Sequence, residues 1–423
     1  MTEPPAGPSI GYLELLKHNH DFRRLWLAEV ISFLGDWFNT IALYTAVAEL
    51  SGSTEAVSLV FVAKMLPIFL VTPIAGPLID RLDRKKLMVI SDVARCLCAF
   101  GLIAAYRSRS MALLIACLFV MVCFAGLFIP TKTSILPQIT VRRELGAANA
   151  LSAGTWSVML ALGAALGGLV TEIVGVETAL FLDGLTFLVS AAFLLPLPPL
   201  AATREADEDE RERGFVAGLR YLWRNPFLAA TISIKPFMAL SGGGIAMLPV
   251  FGTKVFAGAS GPTWMGLLYM ARGLGALVGS LVVRRIFGDA PGTMRKLVPV
   301  GFVVVAGSYV ALGQAQTIWQ AAAAYFGGTV GGGMLWTFSS TLGQLESENA
   351  YRGRVFAIEF GALTLTMSIM AAAAGAAVER AGWSVRDVAH ASGLIVLAPA
   401  VLWTLVAIAD HRRRAAGVPD AAS

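Results

Sequence analysis

Between two long apolar runs, residues 76–86 read Gly-Pro-Leu-Ile-Asp-Arg-Leu-Asp-Arg-Lys-Lys, with six charged side chains in the last seven positions. A cluster of that density cannot sit in hydrocarbon, and the run on each side is long enough to cross a bilayer. The stretch is therefore a water-facing hairpin between two membrane spans. Its excess of Arg and Lys puts that water on the cytoplasmic side. Backbone inside a bilayer must be bonded internally, so spans with this continuous apolar pattern are helices. The alternating ten-residue pattern of a barrel strand is not what these runs show.

Composition agrees. The 423 residues are 56% hydrophobic and 14% charged, against roughly 25% charged in a soluble domain. Apolar runs fall near residues 25–50, 56–79, 87–106, 111–129, 150–174, 178–197, 227–251, 265–287, 298–312, 318–342, 355–378 and 388–409. The expectation is an all-α membrane protein with 12 transmembrane helices in two six-helix halves, 1–200 and 227–423. A polar cytoplasmic linker at 201–226 joins them and ends in Phe215–Arg224, whose apolar residues at helical spacing and intervening cations predict an interfacial amphipathic helix. Residues up to His20 carry no apolar h-region, so no cleaved signal peptide is expected.

With the N-terminus inside and spans alternating, 24 of the 33 Lys and Arg fall in inside segments, 5 in outside segments and 4 within spans. That asymmetry predicts both termini cytoplasmic, in a multi-pass protein of the cell inner membrane. It also accounts for the net charge of +5 without nucleic acid. Cys96, Cys98, Cys117 and Cys123 lie in apolar runs and read as core residues.

The hairpin has a worn second copy. Gly76-x-x-x-Asp80-Arg81 closes the second span, and Gly279-x-x-x-Val283-Arg284 closes the eighth. Together with the central linker and the six-plus-six count of apolar runs, this repeat argues for two parallel six-helix halves, an architecture that places a substrate site between them near mid-membrane.

Gly76-x-Leu78-x-Asp80-Arg81-x-x-Arg84-Lys85 matches the loop signature of the major facilitator superfamily. Gly35-Asp36, Pro130 through Pro137 with Arg143-Glu144-Leu145, Tyr221 through Pro226, and Arg352-Gly353-Arg354-Val355-Phe356 resemble its third drug–proton antiporter family more particularly. That family includes enterobactin exporters and macrolide efflux pumps. The resemblance covers nearly the whole chain and implies the major facilitator fold. It also implies proton-coupled, multidrug-type efflux of an amphipathic small molecule, working as a monomer among membrane lipids. The chain departs from the pattern twice. Exporters often carry Gly-Pro-x-x-Gly-Gly in span five, where this chain has Gly163-Ala-Ala-Leu-Gly167-Gly168. Neighbouring families place an arginine within span four, where this chain has none before Lys132.

Ionisable groups inside spans cost roughly 2.5–3.5 kcal/mol at a helix centre, so each needs a reason. Asp36 reads as a proton carrier or substrate contact, or else as a structural hydrogen bond to a neighbouring helix. Lys64, Lys235, Arg272 and Glu359 are the other candidates for substrate or coupling roles, and Glu359 is the nearest plausible acid to the second-half cations. Gly76, Asp80, Arg81, Arg84, Asp92, Arg95 and Gly353 form a gate group. The resemblance implies that Asp80 faces the start of span eleven near Gly353 and latches the inner gate; the plainer reading is loop solubility. Gly-Lys never occurs, so there is no P-loop. No cofactor or metal site is expected, and neither is Gly-x-Ser-x-Gly nucleophile chemistry. A facilitator or importer of a lipid or nutrient is the alternative within transport, and an intramembrane enzyme or sensor is the alternative outside it.

Overall fold

The computed structural model describes residues 11–200, 215–256, 261–287 and 290–415, and these are helical with short connections. In chain order the helices are α1 (Tyr12–His18), α2 (His20–Ser51), α3 (Thr54–Arg81), α4 (Arg84–Arg107), α5 (Met111–Ile139), α6 (Arg142–Val158) and α7 (Ala164–Leu194). They continue with α8 (Phe215–Arg224), α9 (Pro226–Met238), α10 (Gly242–Ala246), α11 (Leu248–Val250), α12 (Gly261–Leu277) and α13 (Val283–Phe287). The last four are α14 (Pro291–Gln314), α15 (Ile318–Glu346), α16 (Asn349–Glu379) and α17 (Val385–Ala415).

Local chemistry sets where these helices begin and end. The Asn19 side chain accepts from the Phe22 amide at 2.9 Å and caps α2. Gly52, at φ 62°, ends it in the left-handed conformation that a side chain resists. Asp83 caps α4 by accepting from the Lys86 amide at 3.1 Å, so the charged hairpin is only Leu82-Asp83 wide. Pro226 and Pro291 occupy first turns, where their missing amide costs nothing.

Ten helical segments among the described residues are long and apolar enough to cross a membrane. One of them, Arg143–Leu194, runs for 52 residues and carries Gly175 at φ 82°, a break in the helical path. α15, 29 residues long, falls outside the ten because six glycines and several hydroxyl side chains dilute its apolar content. The run expected to be shortest, 298–312, lies within the 24-residue α14: Pro291 starts that helix well before the apolar residues begin.

The chain forms two compact units. The first takes Met1–Gly52 with Leu70–Ala206, and the second takes Ser53–Phe69 with Asp207–Ser423.

In the first unit, α2 lies along α7. A Cβ on Gly167 would stand 2.8 Å from the Trp37 carbonyl oxygen, so only glycine lets these two backbones approach. Span five, which lacks the exporter proline, is instead loosened by a π-helical turn at Met159–Gly163. Two of the hairpin's cations are tied back to neighbouring segments. Lys85 donates to the Leu197 carbonyl at 2.7 Å, and Arg84 to the Ser134 carbonyl at 3.1 Å. Carbonyls left over at helix C-termini favour cations there.

In the second unit, Gly279 of α12's continuation meets α15 so closely that a Cβ would stand 2.1 Å from the Val330 carbonyl oxygen. The amphipathic helix expected at Phe215–Arg224 is present. Leu222 is buried with Leu228, Ile232, Val355 and Ile358, while Trp223 is exposed. The first half of α3 packs on the end of α16. There Glu379 accepts from the Ser53 hydroxyl at 3.1 Å and the Thr54 amide at 3.2 Å, and Glu55 pairs with Arg380.

Candidate functional site

Each unit buries a charge cluster. In the first unit, Arg95 stands on α4 eleven residues beyond Arg84, which is about 16 Å along the helix axis. That rise lifts it out of the hairpin and into the span. It is ion-paired with Asp92 on the same face, and its other amino group lies 3.9 Å from Asp36 on α2. Phe128 and Phe187 cover the guanidinium at 4.6 and 4.3 Å, an arrangement in which ring faces attract a cation. Ser190 of α7 donates to the second Asp92 oxygen at 2.6 Å. Arg95 and Asp92 are almost completely buried, whereas the Asp36 side chain is 41% exposed.

Arg95 thus joins one sealed carboxylate to one accessible carboxylate. With all three groups charged the cluster is net negative, and one proton neutralises it. Two supporting pairs complete the unit's interior. Asn39 donates to Asp183 at 2.8 Å. Lys132 pairs with Glu29, which also accepts from Ser152 at 3.0 Å. Sequence reasoning had set Asp92 and Arg95 apart from Asp36; the structure brings the three together. It had left Ser190, Asn39 and Lys132 without roles, although each is a polar group in an apolar run and detectable as such.

In the second unit, Lys235 of α9 donates to Glu359 of α16 at 2.6 Å. The pair is sealed, with the side chains 5% and 2% exposed. Trp336 and Phe356 face the ammonium at 4.6 and 5.5 Å. Ser339 donates to the other Glu359 oxygen. Pro236 follows the lysine, removes an amide donor and is succeeded by the 3₁₀ turn Ala239–Ser241. A broken helix beside a buried charge is a common feature of transporter binding regions. Closer to the helix ends, Glu346 holds Arg295 at 2.8 Å and the Thr231 hydroxyl at 2.7 Å.

Arg272 of α12 is half-buried near Tyr269, Tyr309 and Tyr325. Lys64 is half-buried on α3. Arg81 and Gly353 are exposed, while Arg84 is buried in the hairpin bonds given above. The expectations for the Gly76 and Asp80 side chains lie outside the described residues.

Long apolar helices that enclose buried ion pairs are those of a polytopic membrane protein. The chain belongs to the Major Facilitator Superfamily, whose sequence profile matches residues 25–358. It is 26% identical over 279 residues to the uncharacterized MFS-type transporter YfiS of Bacillus subtilis, covering 64% of this chain and 65% of that protein. It is 27% identical to the putative bacilysin exporter BacE of Bacillus amyloliquefaciens, over 64% of this chain and 68% of that one. It is 28% identical to the multidrug efflux pump Tap of Mycolicibacterium fortuitum, over 58% and 62%. The chain thus spans about two thirds of the length of these relatives. Among solved structures, a POT family transporter superposes with a TM-score of 0.71 at 10% identity, covering 91% of this chain and 95% of that one. The nucleoside transporter NupG (D323A mutant) superposes with a TM-score of 0.69 at 13% identity, covering 92% and 99%. At such identities the likeness is one of fold.

Proposed function

We propose that this transporter exports an amphipathic small molecule in exchange for protons, and that Asp36 carries the exchanged proton. The observation behind this reading is the accessible Asp36 carboxylate, 3.9 Å from the sealed Arg95–Asp92 pair. A mid-span carboxylate with 41% of its side chain exposed is costly against lipid, so its open side faces water. Ionised, it shares Arg95 with Asp92 and leaves the cluster net negative. Protonated, it leaves a neutral Arg95–Asp92 pair, which is cheaper to close off from water. Protonation therefore favours occlusion, and loss of the proton on the other side favours reopening. The Lys235–Glu359 pair is neutral as a unit and sealed, so it suits a structural or substrate-linked role better than proton exchange. The exporter and efflux-pump names of BacE and Tap point in the same direction.

Twelve spans in two six-helix halves, 1–200 and 227–423, with a linker at 201–226 and both termini cytoplasmic, are part of this proposal. The 52-residue segment broken at Gly175 is about 78 Å long, enough for two crossings of a ~30 Å core. α15 supplies the remaining span through its length. We place the protein in the bacterial inner membrane as a monomer, with the hairpin at Asp80 and Arg84 serving as inner gate.

The experiment is flux of fluorescent amphipathic probes from proteoliposomes under an imposed proton gradient. Uptake or release that follows the gradient supports exchange. Flux that ignores the gradient makes the protein a facilitator.

A further inference from the structure

Helix α8 (Phe215–Arg224) carries three different faces, each made of residues three or four positions apart. Gly218, Tyr221 and Leu222 form the first, which is docked on the start of α16. A Cβ on Gly218 would stand 2.8 Å from Ile358 and 3.0 Å from Arg354, so the helices run close there. Tyr221 stacks on Tyr351 with ring centroids 4.3 Å apart and planes within 1° of parallel. Its hydroxyl oxygen accepts from the Glu348 amide at 3.2 Å. Leu222 is buried with Val355 and Ile358. These contacts fix the rotation of α8 about its own axis.

So fixed, the helix turns its other two faces away from α16. Val216, Leu219 and Trp223 make an apolar stripe, 67%, 45% and 89% exposed. Arg220 and Arg224 stand beside that stripe, one turn apart and both exposed, and among the described residues neither pairs with a carboxylate. The crossing segment Pro226–Val255 begins two residues after α8 ends, which holds α8 at the edge of the bilayer. Water would leave the stripe uncovered, and hydrocarbon would strip the arginines of solvation; only the boundary satisfies both. Tryptophan favours the same level. The adjoining positive charge selects anionic over zwitterionic headgroups.

We propose that the free surface of α8 is a binding site for an anionic phospholipid. Arg220 and Arg224 donate to its headgroup phosphate, and an acyl chain lies along Val216, Leu219 and Trp223. The site goes beyond the transport reading and does not depend on proton exchange.

The test uses the purified full-length protein in phosphatidylcholine nanodiscs that contain a rising fraction of phosphatidylglycerol with brominated acyl chains, which quench tryptophan on contact. The Trp223 signal is the difference between each protein and its Trp223→Phe counterpart. Brominated phosphatidylglycerol quenches Trp223 at a lower fraction than brominated phosphatidylcholine does. Arg220→Gln with Arg224→Gln weakens this preference about tenfold or more. Arg285→Gln with Lys296→Gln, which removes two exposed cations elsewhere in the second unit, leaves it unchanged. Equal quenching by the two lipids, or a preference that survives the loss of Arg220 and Arg224, overturns the proposal. An equal loss in the Arg285 and Lys296 variant makes the preference one of net charge and overturns it too. Displacement of the lipid by soluble glycerol phosphate assigns the arginines to free phosphate, which also contradicts the proposal. A preference that emerges only when the six acids at 205–212 are replaced by amides assigns the arginines to the chain's own carboxylates, with the same consequence.

Discussion

The Asp36 carboxylate lies 3.9 Å from an arginine, Arg95, that is already ion-paired with Asp92 on its own helix. The two acids experience different surroundings: Asp92 is sealed and bonded by Ser190, while Asp36 is open. One arginine therefore joins a sealed acid to an open one. Replacing Arg95 strands Asp92 as a buried charge without its cation. Arg95→Gln is expected to cost about 3 kcal/mol or more, seen as a fall of several degrees in the melting temperature in detergent. Asp36→Asn leaves the Arg95–Asp92 pair intact, so its melting temperature stays near that of wild type.

The Lys235–Glu359 pair predicts a strong interaction in a double-mutant cycle. Lys235→Met leaves the sealed Glu359 with only the Ser339 hydroxyl. Glu359→Gln leaves the ammonium under Trp336 without its counter-charge. Each single change is strongly destabilising. The double change is milder than the sum of the two, with a coupling of about 1–3 kcal/mol in thermal unfolding. Additive effects would mean that the pair does not act as a unit.

Helix contact in the second unit depends on Gly279. Alanine there drives a methyl into the Val330 carbonyl region, where a Cβ would stand 2.1 Å from the oxygen. The expected loss is about 1–3 kcal/mol, the range for overpacking. Gly307→Ala is the control, because nothing lies within 4 Å of its added Cβ. It should be neutral or stabilising by up to ~1 kcal/mol through helix propensity. Fluorescence-detected size-exclusion melting of both variants compares them directly.

The hairpin and its worn repeat make an asymmetric prediction. If the first copy is the gate, Asp80→Asn reduces flux in proteoliposomes strongly, while changes at Val283 have little effect. The reverse order of effects would place the gate in the second half.

The architecture was legible in the sequence because apolar runs and cations carry it. The hairpin, the amphipathic helix Phe215–Arg224 and ten crossing segments all come from hydropathy and charge. Helix ends were less legible: α5 runs on to Ile139 through Pro130 and Pro137, because helices continue past the hydrocarbon that hydropathy measures. At the site, the sequence named Asp36, Arg95, Lys235 and Glu359 individually, since a charge in an apolar run stands out. It could not show that Glu359 meets Lys235, 124 residues away, or that helical rise moves Arg95 from the hairpin to Asp36. The supporting hydroxyls, Ser190 and Ser339, gave little signal because serine is common in spans and usually bonds its own helix.

The most direct measurement is proton-gradient-driven flux in proteoliposomes containing wild-type protein or Asp36→Asn, with folding verified by melting temperature. The account predicts gradient-dependent flux for wild type and, for a normally folded Asp36→Asn, loss of that dependence. Full gradient-coupled flux in Asp36→Asn would contradict it.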